Sequence, residues 1–348
     1  WRPCMALAFC VTLSAATTVA DAVAMTVDGN DRGGSFALVA PGKTATLVYD
    51  ASSDGEVVGA AAEMFSGDVK LITGTPLAIA TSWDGVTLPI VAGTVGKSEF
   101  IDDLASAGKI DVSEVSGKWE AFGIEIVDNP KEGIEKALVV YGGTPRGTAY
   151  GLLELSRLAG VSPWVWWADV LPEERDALYV SGDRLISGEP SVRFRGIFIN
   201  DEDFCFLPWA SKGLDAKYNN IGPNTYAKVM ELLLRLRANV LWPAMHLSSQ
   251  AFWDNKDNLP VAKKYDIALG SSHCEQMLRD NEWEWRRYDG GTGTNENWNY
   301  VTNKAKIQRY WEERVIESKG FSAMYTLGMR GVHDWGISGY PSTEDKVR

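Results

Sequence analysis

The chain has 348 residues, of which 45% are hydrophobic, and its mean hydropathy is −0.14. These values are typical of a soluble globular protein that is long enough for two domains. The formal net charge of −12 and the pI of about 4.9 argue against nucleic acid or an anionic membrane surface as the main partner. An anionic substrate would need a local arginine or lysine.

Residues 1–24 have the pattern of a secretory signal. Arg2 precedes the apolar run 5–13, and the small residues around Ala22 resemble a cleavage site. The apolar run is too short to span a membrane. We therefore expect a secreted protein without a membrane partner.

Two cysteines, Cys205 and Cys274, remain after this segment. Two thiols are too few for a disulfide scaffold. We expect both to be buried as small hydrophobic side chains.

Residues 25–190 are predicted to form an α/β domain. Thr144 and Pro145 fit the cap and the first position of a helix that we predict over 147–158. The glycine-rich turn before this helix lacks both phosphate-loop and dinucleotide-binding spacings, so we interpret it as an ordinary strand-to-helix turn and expect no cofactor. Glycines and aspartates separate the predicted strands, which lie at 45–49, 88–92, 123–127 and 137–141.

The segment 160–170 closes this domain and contains three tryptophans. Tryptophan rings suit the apolar faces of sugars, and they also pack well in protein interiors. We favour packing between two domains, with a sugar-binding platform as the alternative.

Residues 191–348 alternate between strand and helix patterns. Repeated βα units predict a parallel sheet with right-handed crossovers, and four units are half of a (β/α)8 barrel of the TIM type. An open doubly wound sheet is the competing fold. The predicted strands are 192–199, 240–245, 267–270 and 323–327, and the predicted helices are 226–236, 256–265 and 303–317, the last with Ile307, Trp311 and Val315 on its apolar face.

The last residues, 342–348, read as the start of a helix, with a hydroxyl cap followed by acidic residues. We therefore expect the sequence to stop before the barrel is complete.

Polar side chains gather where the four predicted strands end, which is where barrel enzymes carry their chemistry. All three histidines lie there. A single polar residue at a strand end is usually a cap, but four consecutive polar ends indicate a site. The ends carry Asn200, Asp201, Glu202 and Asp203 after strand one, Trp242 and His246 after strand two, His273 and Glu275 after strand three, and Arg330, His333 and Asp334 after strand four.

Carboxylates and aromatic rings at these ends indicate glycoside hydrolysis, in which one acid protonates the leaving oxygen and a second carboxylate activates water or attacks. Arg330 would bind the carboxylate of an anionic sugar bidentately.

A zinc centre is the alternative chemistry. His246, His273 and His333 would bind the metal together with Asp201 or Asp334. The chain has no HExxH or HxxEH spacing, and Arg330 would lie unfavourably close to a cation. We therefore favour the glycosidase interpretation and expect no metal.

Several motifs of the second half occur together in one order. This part of the chain resembles the family 115 glycoside hydrolases, the xylan α-1,2-glucuronidases. Upstream, the stretch 146–170 looks like the joint between that family's N-terminal domain and its barrel. The resemblance is carried by RGIFINDED (195–203), NVLWPAMH (239–246), YDIALGSSHCEQM (265–277) and YTLGMRGVHD (325–334).

The resemblance implies an inverting enzyme that removes glucuronic acid or its 4-O-methyl ether from glucuronoxylan. It places the general acid on the strand after the last one predicted here. A homodimer is compatible with the resemblance, and a carbohydrate-binding relative without catalysis remains an alternative. The matching positions are Asp201, Glu202 and Asp334 for catalysis, and Asn200, Trp242, His273 and Arg330 for substrate binding.

Overall fold

The computed structural model describes residues 24–200, 203–245, 247–288, 290, 297–328, 330–332, 335–336 and 342–344. The predicted signal segment therefore lies almost entirely outside the described residues. No helix in the described ranges is both long and apolar enough to cross a bilayer.

Residues 24–187 form two sheets with helices packed against them. A four-stranded sheet has the order β1-β9-β2-β3, and a six-stranded sheet has the order β10-β7-β8-β6-β4-β5. The elements are β1 (Thr26–Asp28), β2 (Phe36–Ala40), β3 (Lys43–Thr44), β4 (Thr46–Tyr49), α1 (Glu56–Thr73), β5 (Ala78–Ala80), β6 (Pro89–Thr94), α2 (Glu99–Ser106), β7 (Phe122–Lys131), β8 (Ile134–Gly142), α3 (Pro145–Leu158), β9 (Leu178–Ser181) and β10 (Leu185–Ser187).

The centre of the six-stranded sheet is parallel, with β6 between β4 and β8. All six residues of β6 are buried, as expected for a parallel strand that is covered on both faces. Helix α3 begins as predicted, because the Thr144 hydroxyl accepts a hydrogen bond from the Gly147 N–H at 3.2 Å. The glycine-rich turn is thus a capped strand-to-helix turn.

The second region continues the βα alternation. Strands β11, β12 and β13 are parallel neighbours, and one further parallel bridge joins Leu269 to Ala323. The α/β class is therefore shown, while the described residues do not close a barrel. The elements are β11 (Gly196–Phe198), α4 (Phe206–Lys212), α5 (Pro223–Arg235), β12 (Val240–Trp242), α6 (Asn258–Lys264), β13 (Ala268–Leu269), α7 (Trp283–Tyr288) and α8 (Tyr300–Ser318), with short 3-10 helices at Leu247–Ser249, Phe252–Asp254 and Gln276–Leu278.

All four strands of this region are shorter than predicted. The strands expected at 240–245 and 267–270 span only Val240–Trp242 and Ala268–Leu269. The strand expected at 192–199 begins only at Gly196, because the Arg195 N–H donates to the Asn239 side chain and not to a neighbouring strand. The strand expected at 323–327 is reduced to the bridge at Ala323. Beyond it, the Thr326 carbonyl accepts from Met277 N–H, so this segment pairs with a loop.

Helix α8 has a different buried face from the one predicted. Ile307 is buried as expected, whereas Val315 is 36% exposed. Arg314 is buried instead, where its guanidinium donates to Glu284 at 2.6 Å and lies 4.7 Å from the Trp253 ring centre. Hydropathy alone assigned arginine to the solvent side and therefore missed this face.

The prediction for the two cysteines is half correct. Cys274 is buried, but Cys205 is exposed. Cys205 is the residue before α4, on the loop that leaves β11.

Polar contacts join the two regions beside a continuous apolar core. Buried Glu120 accepts from Arg146 at 2.6 Å and from Asn239 at 2.8 Å, and its other carboxylate oxygen accepts from Arg195. Arg235 of α5 likewise pairs with Asp68 of α1 at 2.8 Å. These contacts fix the second region against the first.

Candidate functional site

The ends of β11, β12 and β13 lie at one edge of the sheet. Phe198 pairs with Trp242, and Leu241 pairs with Leu269. The bridge from Leu269 to Ala323 adds the next segment of the chain to the same row. Because parallel neighbours end on the same side, the ends of these three strands share this edge.

Trp242 is half-buried at the end of β12. Its ring meets the Phe198 ring edge-on, with 5.8 Å between the ring centres. Gly270 allows this position, because a Cβ atom there would lie 2.3 Å from the indole Nε1. The ring is therefore held by packing and still presents part of its surface.

His273 is exposed on the loop after β13, whose backbone is held from several sides. The Gln276 amide donates to the His273 carbonyl at 2.7 Å, and the Ser271 hydroxyl donates to the Glu275 carbonyl at 2.7 Å. Thr326 Oγ1 donates to the Ser271 carbonyl at 2.7 Å and thereby ties the loop to the next segment. The loop presents an exposed imidazole on a fixed backbone.

Arg330 is half-buried on the segment that follows Ala323. Trp298 Nε1 donates to the Arg330 carbonyl at 2.8 Å. The Asn281 amide donates to the carbonyl of Gly331, the next residue, at 2.7 Å. These two contacts fix the backbone that carries the guanidinium.

Glu275 is a titratable residue at this edge that the predicted site omits. Burial raises the pKa of Glu275 well above its usual range, and the nearby carboxylates of Asp280 and Glu284 raise the pKa further. Burial also raises the pKa of Asp280 to about 6. The sequence showed Glu275 at the strand end but not its burial or the charges of Asp280, Glu284 and Arg314 that act on its pKa.

Of the predicted site residues, Asn200, Trp242, His273 and Arg330 are described, and the structure places all four at or beyond the ends of neighbouring strands. Asn200 is exposed two residues after β11. The catalytic candidates Asp201, Glu202 and Asp334 lie outside the described residues, as do His246 and His333. Their positions therefore stay predictions.

The described residues contain no group of three or more His, Cys, Asp or Glu side chains arranged to hold a metal ion. Two of the three histidines of the zinc alternative lie outside those residues. The zinc alternative therefore stays a hypothesis that needs a chemical test.

Comparisons with known proteins bear on the same region. The model of glycosyl hydrolase family 115 matches residues 187–347. A comparison with curated proteins found no match.

A similar solved structure is BtGH115A, described as a family GH115 4-O-methyl-alpha-glucuronidase with specificity for decorated arabinogalactans. It has a TM-score of 0.77 and 39% identity, over 89% of this chain and 38% of that one. The chain thus spans under two fifths of that relative's length.

Two further solved structures overlap less well. CpGH84D has a TM-score of 0.47 and 11% identity, over 85% of this chain and 42% of its own. An N-acetyl-beta-hexosaminidase from Streptomyces plicatus has a TM-score of 0.39 and 11% identity, over 72% and 45% of the two chains. Such low scores add nothing to the assignment. The family match and the 39% identity do, and the chain belongs to glycosyl hydrolase family 115.

Proposed function

We propose that the protein containing this chain is an α-glucuronidase, which hydrolyses the bond between glucuronic acid, or its 4-O-methyl ether, and a plant polysaccharide. The observation that carries the proposal is the 39% identity to a 4-O-methyl-alpha-glucuronidase over 89% of this chain. The family model supports the same proposal, because it matches residues 187–347, which include Trp242, His273 and Arg330.

The polysaccharide is the finer part of the proposal. The resemblance of the motifs favours glucuronoxylan. The specificity of BtGH115A for decorated arabinogalactans supports such galactans as the second candidate. The uronic acid is common to both, so the binding chemistry at the strand ends is the same.

Each of the four predicted site residues that the structure describes has a role in this proposal. The Arg330 guanidinium matches the two oxygens of the uronate carboxylate, which gives a charge-assisted bidentate contact. The half-buried Trp242 ring offers an apolar surface to a sugar face. Asn200 and His273, both exposed, bind hydroxyl groups.

The reaction is proposed to proceed with inversion. An inverting glycosidase needs two carboxyl groups about 6.5–9.5 Å apart, with a water molecule between the sugar and the base. Adjacent strands are only about 4.8 Å apart, so the two groups fit best on strands that are not direct neighbours. Asp201 or Glu202 then activates the water, and the acid comes from another strand, with Asp334 as one candidate.

Secretion also belongs to the proposal. Its support is the signal-like pattern of residues 1–24 and the extracellular location of plant polysaccharides. Export of a reporter fused to this segment would test it.

The function is tested with the full-length protein on glucuronoxylan and on a decorated arabinogalactan, with released glucuronic acid as the readout. Arg330→Ala should raise KM for uronic substrates by about ten- to 150-fold, because a charge-assisted hydrogen bond contributes about 1.5–3 kcal/mol. Arg309→Ala, which removes an exposed arginine on α8, is the matched control.

No release from either polymer would refute the proposed activity. Unchanged kinetics in Arg330→Ala would refute the role of that residue. Loss of release with EDTA, restored by zinc, would establish the metal alternative instead.

A further inference from the structure

A cavity of about 890 Å³ lies between the tryptophan-rich segment 165–171 and the helices α4 and α5. We call it the aromatic cavity, and the rings of Trp166, Trp167, Phe206 and Trp209 line it. The four strand ends described above do not account for it. The tryptophans of this segment were predicted either to pack between two domains or to form a sugar-binding platform. The cavity is compatible with both, because the rings join the two regions and leave an open space.

The rings form a wall that is partly open to solvent. Phe206 and Trp209 are stacked, with 5.9 Å between ring centres and an angle of 11° between planes. Trp167 lies 5.7 Å from Trp209, and its indole N–H donates to the Lys228 carbonyl at 3.2 Å. Trp209 is 44% exposed, so a ligand can reach it.

The polar groups of the cavity favour a neutral ligand. Asp169, Glu231 and Lys228 line it, which gives two carboxylates and one ammonium group. Lys228 is already paired, since its Nζ donates to Glu231 at 2.9 Å and lies 5.2 Å from the Trp166 ring centre. A uronate would therefore meet net negative charge, whereas sugar hydroxyl groups find both acceptors and a donor.

The cavity is close to the candidate catalytic loop. Cys205 lines it and follows Glu202 by three residues. Cys205 is also the residue before α4, so the cavity borders the loop that follows the first polar strand end. We expect a polysaccharide whose uronic acid occupies the strand ends to reach the cavity with the sugars that neighbour this uronic acid.

We propose that the aromatic cavity binds neutral pyranose units of the polysaccharide that carries the glucuronic acid. This inference rests on the proposed function and adds a second subsite to it. Aromatic faces supply the apolar contact with the sugar ring, and the charged rim supplies hydrogen bonds.

The first test compares Trp209→Ala with Trp164→Ala in the full-length protein. Trp164 is a tryptophan of the same segment with a similar exposed fraction, 48%, and it does not line the cavity. KM for the polymer should rise about three- to tenfold in Trp209→Ala, as expected for the loss of one aromatic contact. KM for glucuronic acid linked to a single xylose or galactose should not change, and Trp209→Phe should restore most of the loss.

Equal changes in KM for polymer and disaccharide, or equal effects of the two tryptophan variants, would overturn the inference.

The second test uses the exposed thiol of Cys205 and needs neither a variant nor catalysis. Neutral xylo-oligosaccharides or galacto-oligosaccharides should slow the reaction of Cys205 with a maleimide at least threefold, whereas free glucuronic acid should not. The oligosaccharide that protects identifies the polymer. Cys274 is buried and serves as the internal reference.

No protection by either oligosaccharide would overturn the inference. A Cys205 thiol that does not react in the full-length protein would also overturn it, because another part of the protein would then cover the cavity. Protection in a protein that releases no glucuronic acid would leave the sugar site standing and refute the proposed hydrolysis.

Discussion

Both regions of the molecule contain parallel strands, but these strands differ in burial. Strand β6 of the first region is buried along its whole length. Strand β11 of the second region has all three residues exposed, within the part of the chain that the structure describes. A parallel strand is normally covered on both faces, so β11 is an edge that is suited to a further partner.

The strand ends differ in the same way. In the first region the Thr94 hydroxyl, at the end of β6, lies 3.1 Å from the Thr148 hydroxyl of α3, and both are buried. In the second region Asn200 and His273 follow their strands on exposed loops. Strand ends whose polar groups are satisfied internally therefore belong to the scaffold. We expect the exposed polar groups on a held backbone to form the site.

The largest expected effect comes from breaking the junction between the regions. Glu120→Gln removes the buried charge that pairs with both Arg146 and Arg195, while Arg146 keeps its pair with Asp266 at 2.9 Å. Breaking a buried ion pair costs about 3–5 kcal/mol. Urea unfolding of the full-length protein should show a loss of that size.

Glu173→Gln is the control, because Glu173 is 78% exposed and pairs with Arg175 at the surface. Its loss should stay within about 1 kcal/mol. Equal losses in the two variants would mean that the junction contributes no more to stability than a surface pair.

The next effect concerns the exposed strand ends. His273→Asn should lower kcat about 100-fold, the lower range for removing a group that takes part in acid–base chemistry or holds the substrate. The melting temperature should stay nearly constant, because the imidazole is exposed and Gln276 still holds the backbone. Thermal unfolding and steady-state kinetics on one preparation measure both. A large loss of stability with little loss of rate would make His273 a structural residue.

A smaller effect is expected from Asp54, a buried carboxylate of the first region. Burial raises the pKa of Asp54 to about 6. One carboxylate oxygen accepts from the Thr94 N–H at 3.0 Å, and the other is buried without a hydrogen-bond partner. A raised carboxyl pKa stabilises the fold below the unfolded pKa of 3.8, and this contribution is lost as the pH rises through about 6.

Asp54→Asn keeps an acceptor for Thr94 and removes the titration. The variant should be more stable than the wild type at pH 8 by roughly 3 kcal/mol. The difference should vanish near pH 3.5. Asp128→Asn, at a largely exposed carboxylate, is the control, and its stability difference from the wild type should not change with pH in this way. A constant difference across the pH range would show that Asp54 does not titrate as described.

The scaffold could be predicted where local rules decide the structure. The capping residues Thr144 and Pro145 gave the start of α3, because a cap depends only on neighbouring residues. Helix α1 was not predicted, since it contains two glycines. At one of them, Gly59, a Cβ atom would lie 2.7 Å from the Tyr49 hydroxyl, so this glycine serves packing between elements.

The sequence predicted that the site lies at a set of strand ends. It did not predict which residues near those ends are buried. Trp242 ends β12 and His273 follows β13, whereas the strand predicted before Arg330 is reduced to a bridge at Ala323. Glu275 and Arg314 are charged residues that are buried. Hydropathy places charged residues at the surface, so it cannot show this burial. The exposure of Cys205 likewise depends on the path of the loop after β11.

The central claim is that the polar strand ends of the second region form the catalytic centre. The most direct test measures glucuronic acid release by the full-length variants Asp201→Asn and Glu202→Gln, with Asp203→Asn as the matched control. Asp203 is exposed and has a positive φ of 76°, a conformation that asparagine adopts readily. At least one of the first two variants should lose roughly 1,000-fold or more of kcat, and the control should keep its rate. Rates within about threefold of the wild type in both Asp201→Asn and Glu202→Gln would contradict the claim.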